Sequence, residues 1–251
     1  MTDWYITTGR SVSTDSRCWN LFEDDQRRRD MLANYDNQPL GDLRKDGKLW
    51  AFLAAAATRR SELLSPTTVD SAGLATWAKR LVEDSFREEC WTESWRRHAL
   101  PAELATLAVL HRNSKIKHGD TLILILGESN RTDGFILKAI LEYLTRSEGP
   151  LAGVGVKTVG PFKLDPQEDT TFNRNFQGFT ETLGIDANVR FVLTGGYKAL
   201  LIAVARWLER ERSAVSIYSL HESGREVIRF GCDDVGNTGS VCVIPDVGTV
   251  C

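Results

Sequence analysis

Thr121-Leu-Ile-Leu-Ile-Leu126, then Gly127-Glu-Ser-Asn-Arg-Thr-Asp-Gly134, then the amphipathic stretch Phe135 to Leu144 decide the fold. An unbroken apolar run of strand length suits a strand buried on both faces, as in a parallel sheet with helices above and below. The same succession recurs along the chain. Trp4 to Thr8, Val154 to Val159, Arg190 to Leu193 and Val215 to Leu220 read as strands, with Glu226 to Phe230 as a last, edge strand. Residues 168–184 and Ala199 to Arg210 read as helices. Alternating strands and helices predict an α/β fold with a doubly wound, mainly parallel sheet. Right-handed crossovers bring the strand C-termini to one edge, and ligands of such sheets bind in the crevice there.

Three polar loops then meet at that edge: Thr8, Gly9, Arg10 and Ser11 after the first strand; Gly127 to Gly134; and Thr194 to Lys198. In Phe191-Val-Leu-Thr-Gly-Gly-Tyr-Lys198, an apolar run stops at Thr194-Gly195-Gly196, Tyr197 intervenes, and Lys198 opens a helical pattern. Free backbone N–H groups at such a turn meet an anion, and Lys198 adds a full charge. Arg10 offers a planar donor fork suited to phosphate and Ser11 a hydroxyl. Ser129, Asn130, Arg131, Thr132 and Asp133 carry donors and acceptors suited to a base or ribose. Each feature has a plainer counterpart: a tight strand–helix turn with a surface lysine, a strand-ending turn, and capping of the next helix by Thr132 or Asp133. The motif is neither G-x4-G-K-[ST] nor G-x-G-x-x-G, so ATP hydrolysis and dinucleotide binding are poorly supported.

Residues 46–112 read as mainly helical. Leu49 to Ala57 is rich in helix formers, Leu74, Trp77, Ala78, Leu81, Val82 and Phe86 fall near a 3.6 period, and Pro101-Ala-Glu-Leu starts a further helix. The run Glu23 to Asp30 reads as a solvated face or loop. The 251 residues suit one large domain with a sizeable insertion, and 42% apolar with 26% charged residues is an ordinary globular composition. A formal net charge of -3 argues against broad binding to nucleic-acid polymers, so an anionic ligand should meet a local basic site. No apolar run approaches the roughly 20 residues of a membrane span, and the N-terminus lacks a secretory pattern, so a cytoplasmic location is expected. Five cysteines, the last three spaced C-x9-C-x8-C, lack the close pairs of a zinc site, so no metal is expected. His98, His111, His118 and His221 sit in unrelated contexts, with His221 alone following a strand toward the crevice.

Taken together, the motifs resemble those of the CRISPR-associated Rossmann-fold (CARF) proteins of type III CRISPR systems, in particular the single-domain ring nuclease group. Ile6-Thr-Thr-Gly-Arg-Ser11 is similar to the first-strand motif T-x-G-x-S. Leu122 to Gly134 is similar to the strand followed by an S-D-T-x-x-G-like loop, and Val192-Leu-Thr-Gly-Gly-Tyr-Lys198 to N-x-T-G-G-[FY]-K, with Val192 where asparagine is frequent. The likeness covers residues 1–12 and about 100–230. It implies a Rossmann-like CARF domain over residues 1–231, with a mainly helical insertion at about 13–118 and a C-terminal tail, 232–251, of no assigned role. No R-x4-H ribonuclease signature is present, and residues 13–100 hold no recognised effector motif.

The resemblance further implies a homodimer holding a cyclic oligoadenylate across its two-fold axis, with cyclic tetra-adenylate favoured over hexa-adenylate and no cofactor. Ser11 and Lys198 match, by motif position, the residues family ring nucleases use. The expected activity is therefore metal-independent ring cleavage. A ribose 2′-OH attacks the adjacent phosphodiester held in line, leaving a 2′,3′-cyclic phosphate. The alternative is a non-catalytic sensor whose helical segment is an output surface. A helix-turn-helix regulator built on Ser65 to Trp77, or an effector with an unrecognised catalytic region in 13–118, are further readings.

Overall fold

A computed structural model describes residues 1–9, 83, 86, 87, 101–127, 131–163, 169–183, 189–194, 198–211, 215–220, 226–231 and 240–245. In chain order these form β1 (Asp3–Thr7), α1 (Ala102–Arg112), β2 (Thr121–Gly127), α2 (Arg131–Leu144), β3 (Gly155–Phe162), α3 (Asp169–Thr182), β4 (Val189–Val192), α4 (Lys198–Glu211), β5 (Ser216–Leu220), β6 (Glu226–Gly231) and β7 (Ser240–Pro245). The strands make one sheet in the order β3-β2-β1-β4-β5-β6-β7. β1 to β5 are mutually parallel, while β6 runs antiparallel to β5 and β7 antiparallel to β6. The sheet is thus mixed but mostly parallel, with helices interspersed.

Pleating sends alternate side chains of each strand to opposite faces, and both faces are covered. Trp4 and Ile6 of β1, with Leu122, Leu124 and Leu126 of β2, join the buried residues of α1 and α2, among them Leu104, Leu107, Ile140 and Leu144. Tyr5, Ile123, Ile125 and Phe191 point the other way, onto Phe179 of α3 and Val204 and Leu208 of α4. This is why β2 carries no polar alternation: all five residues from Leu122 to Leu126 are buried. Aromatic contacts mark each side. Trp4 and Tyr218 lie with ring centroids 5.3 Å apart on one face, and Tyr5 stacks on Phe191 at 5.3 Å on the other.

The N-terminal strand is anchored at its base by Asp120, which is 4% exposed. One carboxylate oxygen accepts the Thr2 N–H at 2.8 Å; the other accepts the Trp4 indole N–H at 3.2 Å and the Lys117 N–H at 3.0 Å. Among residues of the helical segment, Phe86 is 1% exposed and joins the core beside His111, at a ring separation of 6.0 Å. Glu83 accepts the Tyr143 hydroxyl at 2.6 Å, and Arg87 donates to the Glu148 carbonyl at 2.8 Å. The rest of 10–100, and with it most of the expected helical insertion at 13–118, lies outside the described residues.

Two expectations change. β6 is not the edge strand, because residues 240–245 of the tail pair with it from Glu226↔Pro245 to Gly231↔Ser240. Ser240-Val-Cys-Val-Ile-Pro245 follows the turn-rich Asp233-Asp-Val-Gly-Asn-Thr-Gly239, which is the pattern of an antiparallel hairpin. Second, α2 begins at Arg131, four residues before Phe135. Arg131, Thr132, Asp133 and Gly134 are its first turn rather than part of an open loop.

Candidate functional site

β1 lies between β2 and β4, and the chain moves outward from it in both directions. That is the switch point of the strand order, where adjacent connections diverge and leave a crevice beyond the strand C-termini. Ile6 is level with Val192 in the register, so Thr8–Gly9 and Leu193–Thr194 leave the sheet side by side. α2 and α4 also open toward this edge, at Arg131 and Lys198. Two helix N-termini, whose first N–H groups have no partner within the helix, therefore share the edge with the end of β1.

The described hydroxyls at this edge tie the strands to one another. Thr7 donates to the Val192 carbonyl at 3.2 Å, and Thr8 to the Ile125 carbonyl at 2.7 Å. Ser219 donates to the Leu193 carbonyl at 3.2 Å. The single proton of each hydroxyl fixes the direction of a longer chain. Thr106 donates to the Ala102 carbonyl at 2.7 Å, so across its 2.9 Å contact with Thr194 it must accept. Thr194 in turn accepts the Leu220 N–H at 3.3 Å. The run Leu220 N–H to Thr194 to Thr106 to Ala102 carbonyl is therefore polarised one way, and such chains reinforce each bond in them.

Glu103 adds a second tie from the same helix. It is 0% exposed, and its Oε1 accepts the Gly9 N–H at 2.8 Å. A buried carboxyl group needs hydrogen-bond partners, and the Gly9 N–H supplies one to Glu103. Sequence reasoning missed Glu103 and Thr106. Pro101-Ala-Glu-Leu announced the helix start, and an acidic residue in a first turn is ordinarily read as a dipole partner at the surface.

The predicted site residues divide accordingly. Thr8, Gly9 and Thr194 stand together at the crevice, with the Thr8 and Thr194 protons and the Gly9 N–H directed into the protein. Gly134 is buried where α2 meets β2. A Cβ there would come within 2.2 Å of Leu126 Cδ2 and 3.5 Å of Thr8 Oγ1, so glycine is required for close helix–strand approach. Arg131, Thr132 and Asp133 are placed by backbone in the first turn of α2, and Lys198 as the first residue of α4. Arg10, Ser11, Ser129, Asn130, Gly195, Gly196 and Tyr197 lie outside the described residues. Among the described groups at this edge, the threonines form the frame, and the helix-opening N–H groups of α2 and α4 are the donors a helix leaves without an internal partner.

Elsewhere, burial and then the adjacent Arg112 charge hold His111 below its usual imidazole value, and its buried Nδ1 has no hydrogen-bond partner. His118 packs against Gly153, and His98 and His221 lie outside the described residues. No group of three or more His, Cys, Asp or Glu converges among the described residues. No helix among them is long and apolar enough to cross a membrane. No protein-family model matches the chain, and no curated protein matches it.

Proposed function

We propose that the protein is a Rossmann-like CARF protein that binds cyclic oligoadenylate and cleaves it as a metal-independent ring nuclease. The observation that carries the reading is the meeting of the Thr8–Gly9 and Thr194 strand ends at the switch point, with Lys198 opening α4 beside them. Added to it are the three motifs, in order, that resemble those of the family. In this reading the α4 N-terminus and Lys198 neutralise one phosphodiester of the ring, and Arg10 clamps it. Ser11 orients the ribose 2′-OH. The 2′ oxygen attacks phosphorus, the bond to the 5′ oxygen breaks, and the 2′-OH proton ends on that leaving oxygen. The products carry a 2′,3′-cyclic phosphate and a 5′-OH.

Alignment of the attacking 2′ oxygen, phosphorus and the leaving 5′ oxygen is the main demand, and a well-oriented intramolecular attack gains up to about 7–11 kcal/mol over an unheld one. Lys198 stabilises the charge that builds on the phosphorane, a contribution whose loss typically slows reaction on the order of 100- to 1,000-fold. A symmetric ring suits an isologous two-fold dimer, each subunit offering one crevice. Equilibrium binding of cyclic tetra-adenylate and cyclic hexa-adenylate tests the ligand. Saturable binding of one ring per dimer, tighter for the tetra-adenylate and absent for linear oligoadenylate of the same length, is expected. Equal binding of ring and linear forms overturns it.

One observation favours the second reading, a non-catalytic sensor. α1 touches both crevice strand ends through Glu103 and Thr106, and its other end packs His111 against Phe86 of the helical segment. A ligand that moves those strand ends has a packed route into that segment. Tight binding without turnover, accompanied by a change in α1, would mark this outcome.

A further inference from the structure

α1 is covalently remote from the crevice loops: Glu103 is 94 residues from Gly9, and Thr106 is 88 from Thr194. Yet these two side chains sit one turn apart on the same helix face, since residues at i and i+3 are neighbours on a helix. Both are 0% exposed. Each grips a different strand exit, one the end of β1 and the other the end of β4. One step back the two exits are tied directly, where Thr7 donates to the Val192 carbonyl at 3.2 Å. Beyond it, the gap between the Gly9 and Thr194 backbones is spanned from one side by α1. We infer that Glu103 and Thr106 are a positioning pair, which sets how far apart the β1 and β4 loops stand and so the width of the crevice. The catalytic consequence rests on the ring nuclease reading; the structural one does not.

The chemistry of each prong follows from its partner. Glu103 acts as an acceptor. It turns the Gly9 N–H away from the crevice, so that amide is not offered to a ligand. A glutamine keeps an acceptor oxygen in the same place, and an alanine does not. Thr106 acts as a relay. It must both accept from Thr194 and donate to the Ala102 carbonyl, which serine does and the isosteric valine cannot. Because the prongs share one rigid turn, loosening either allows the loops to part, and the two losses should not add: once one prong is gone, the other no longer fixes the spacing.

The test uses the full chain with Glu103→Gln, Glu103→Ala, Thr106→Ser, Thr106→Val and the Ala/Val double variant. Hydrogen exchange is followed at the Gly9 amide and across Thr194–Lys198. Cleavage of cyclic tetra-adenylate is followed in single turnover. E103A should lose protection at Gly9 and slow cleavage by about 10- to 100-fold, the scale of an ångström-sized misplacement. T106V should do the same at 194–198. E103Q and T106S should recover both readouts, and the double variant should be little slower than either single one. Protection in β2 should be unchanged throughout, which separates misplacement from general unfolding. Wild-type rates with normal loop protection in E103A and T106V would overturn the pairing. So would an E103Q as slow as E103A, since that makes the charge rather than the acceptor the active feature. If the wild-type protein neither binds nor cuts the ring, the ring nuclease reading fails and the exchange data alone decide. Loops loosened by E103A and T106V but not by E103Q and T106S then support the pairing, and unchanged loops overturn it.

Discussion

Single buried polar groups do much of the positioning in this molecule, and Asp120 is the plainest case. Its carboxylate gathers three donors from Thr2, Trp4 and Lys117, fastening the first strand to the turn that enters β2. Asp120→Ala leaves those donors without partners, at about 1–3 kcal/mol for each one buried. We expect urea unfolding to show a loss of more than about 2 kcal/mol, with Asp120→Asn losing less because one acceptor survives. His111 gives the molecule a pH dependence of its own. Its folded-state value is lowered from 6.5, by burial first and Arg112 second. Between the unfolded value and that lower folded one, the unfolded chain binds more protons, so stability falls as pH drops below about 6.5. His111→Gln should flatten the decline in melting temperature between pH 7 and 5.5. An equal decline in the variant would show that other groups cause it.

At the scale of elements, the strand exits and helix starts were legible where one physical signal dominated. The apolar run Thr121–Leu126 suited a strand covered on both faces, and Leu122–Leu126 are buried as that requires. The start of α2 was not legible, because Arg131-Thr-Asp-Gly134 has the composition of a loop; a helix there depends on tertiary approach. Gly134 is the contact point, and Gly134→Val should be destabilising by about 1–3 kcal/mol through overpacking against Leu126, with added loss from the poor helix propensity of valine. Circular dichroism melts would check this, and an unchanged midpoint would show that Leu126 yields. β7 escaped notice for a different reason: six residues after a Gly- and Asp-rich stretch of sequence carry a weak strand signal until a partner strand is known. The Glu103 and Thr106 ties could not be read at all, since nothing local links a helix turn to strand ends some 90 residues away in sequence.

For the whole molecule, the mostly parallel sheet turns outward from β1, and that topology alone brings Thr8–Gly9, Thr194 and the openings of α2 and α4 to one edge. The threonines there hold the frame with their protons turned inward. The chemistry proposed for the edge accordingly falls to Lys198, Ser11 and Arg10. This division makes the two halves of the account separable: changes to the frame should alter geometry, and changes to Lys198 should alter rate with the frame intact. The most direct measurement is single-turnover incubation of the pure protein with cyclic tetra-adenylate in EDTA, comparing wild type with Lys198→Ala. The wild type should give linear products ending in 2′,3′-cyclic phosphate, and the variant should still bind the ring but cut it on the order of 100- to 1,000-fold more slowly. Rings left intact by the wild-type protein after prolonged incubation would contradict it.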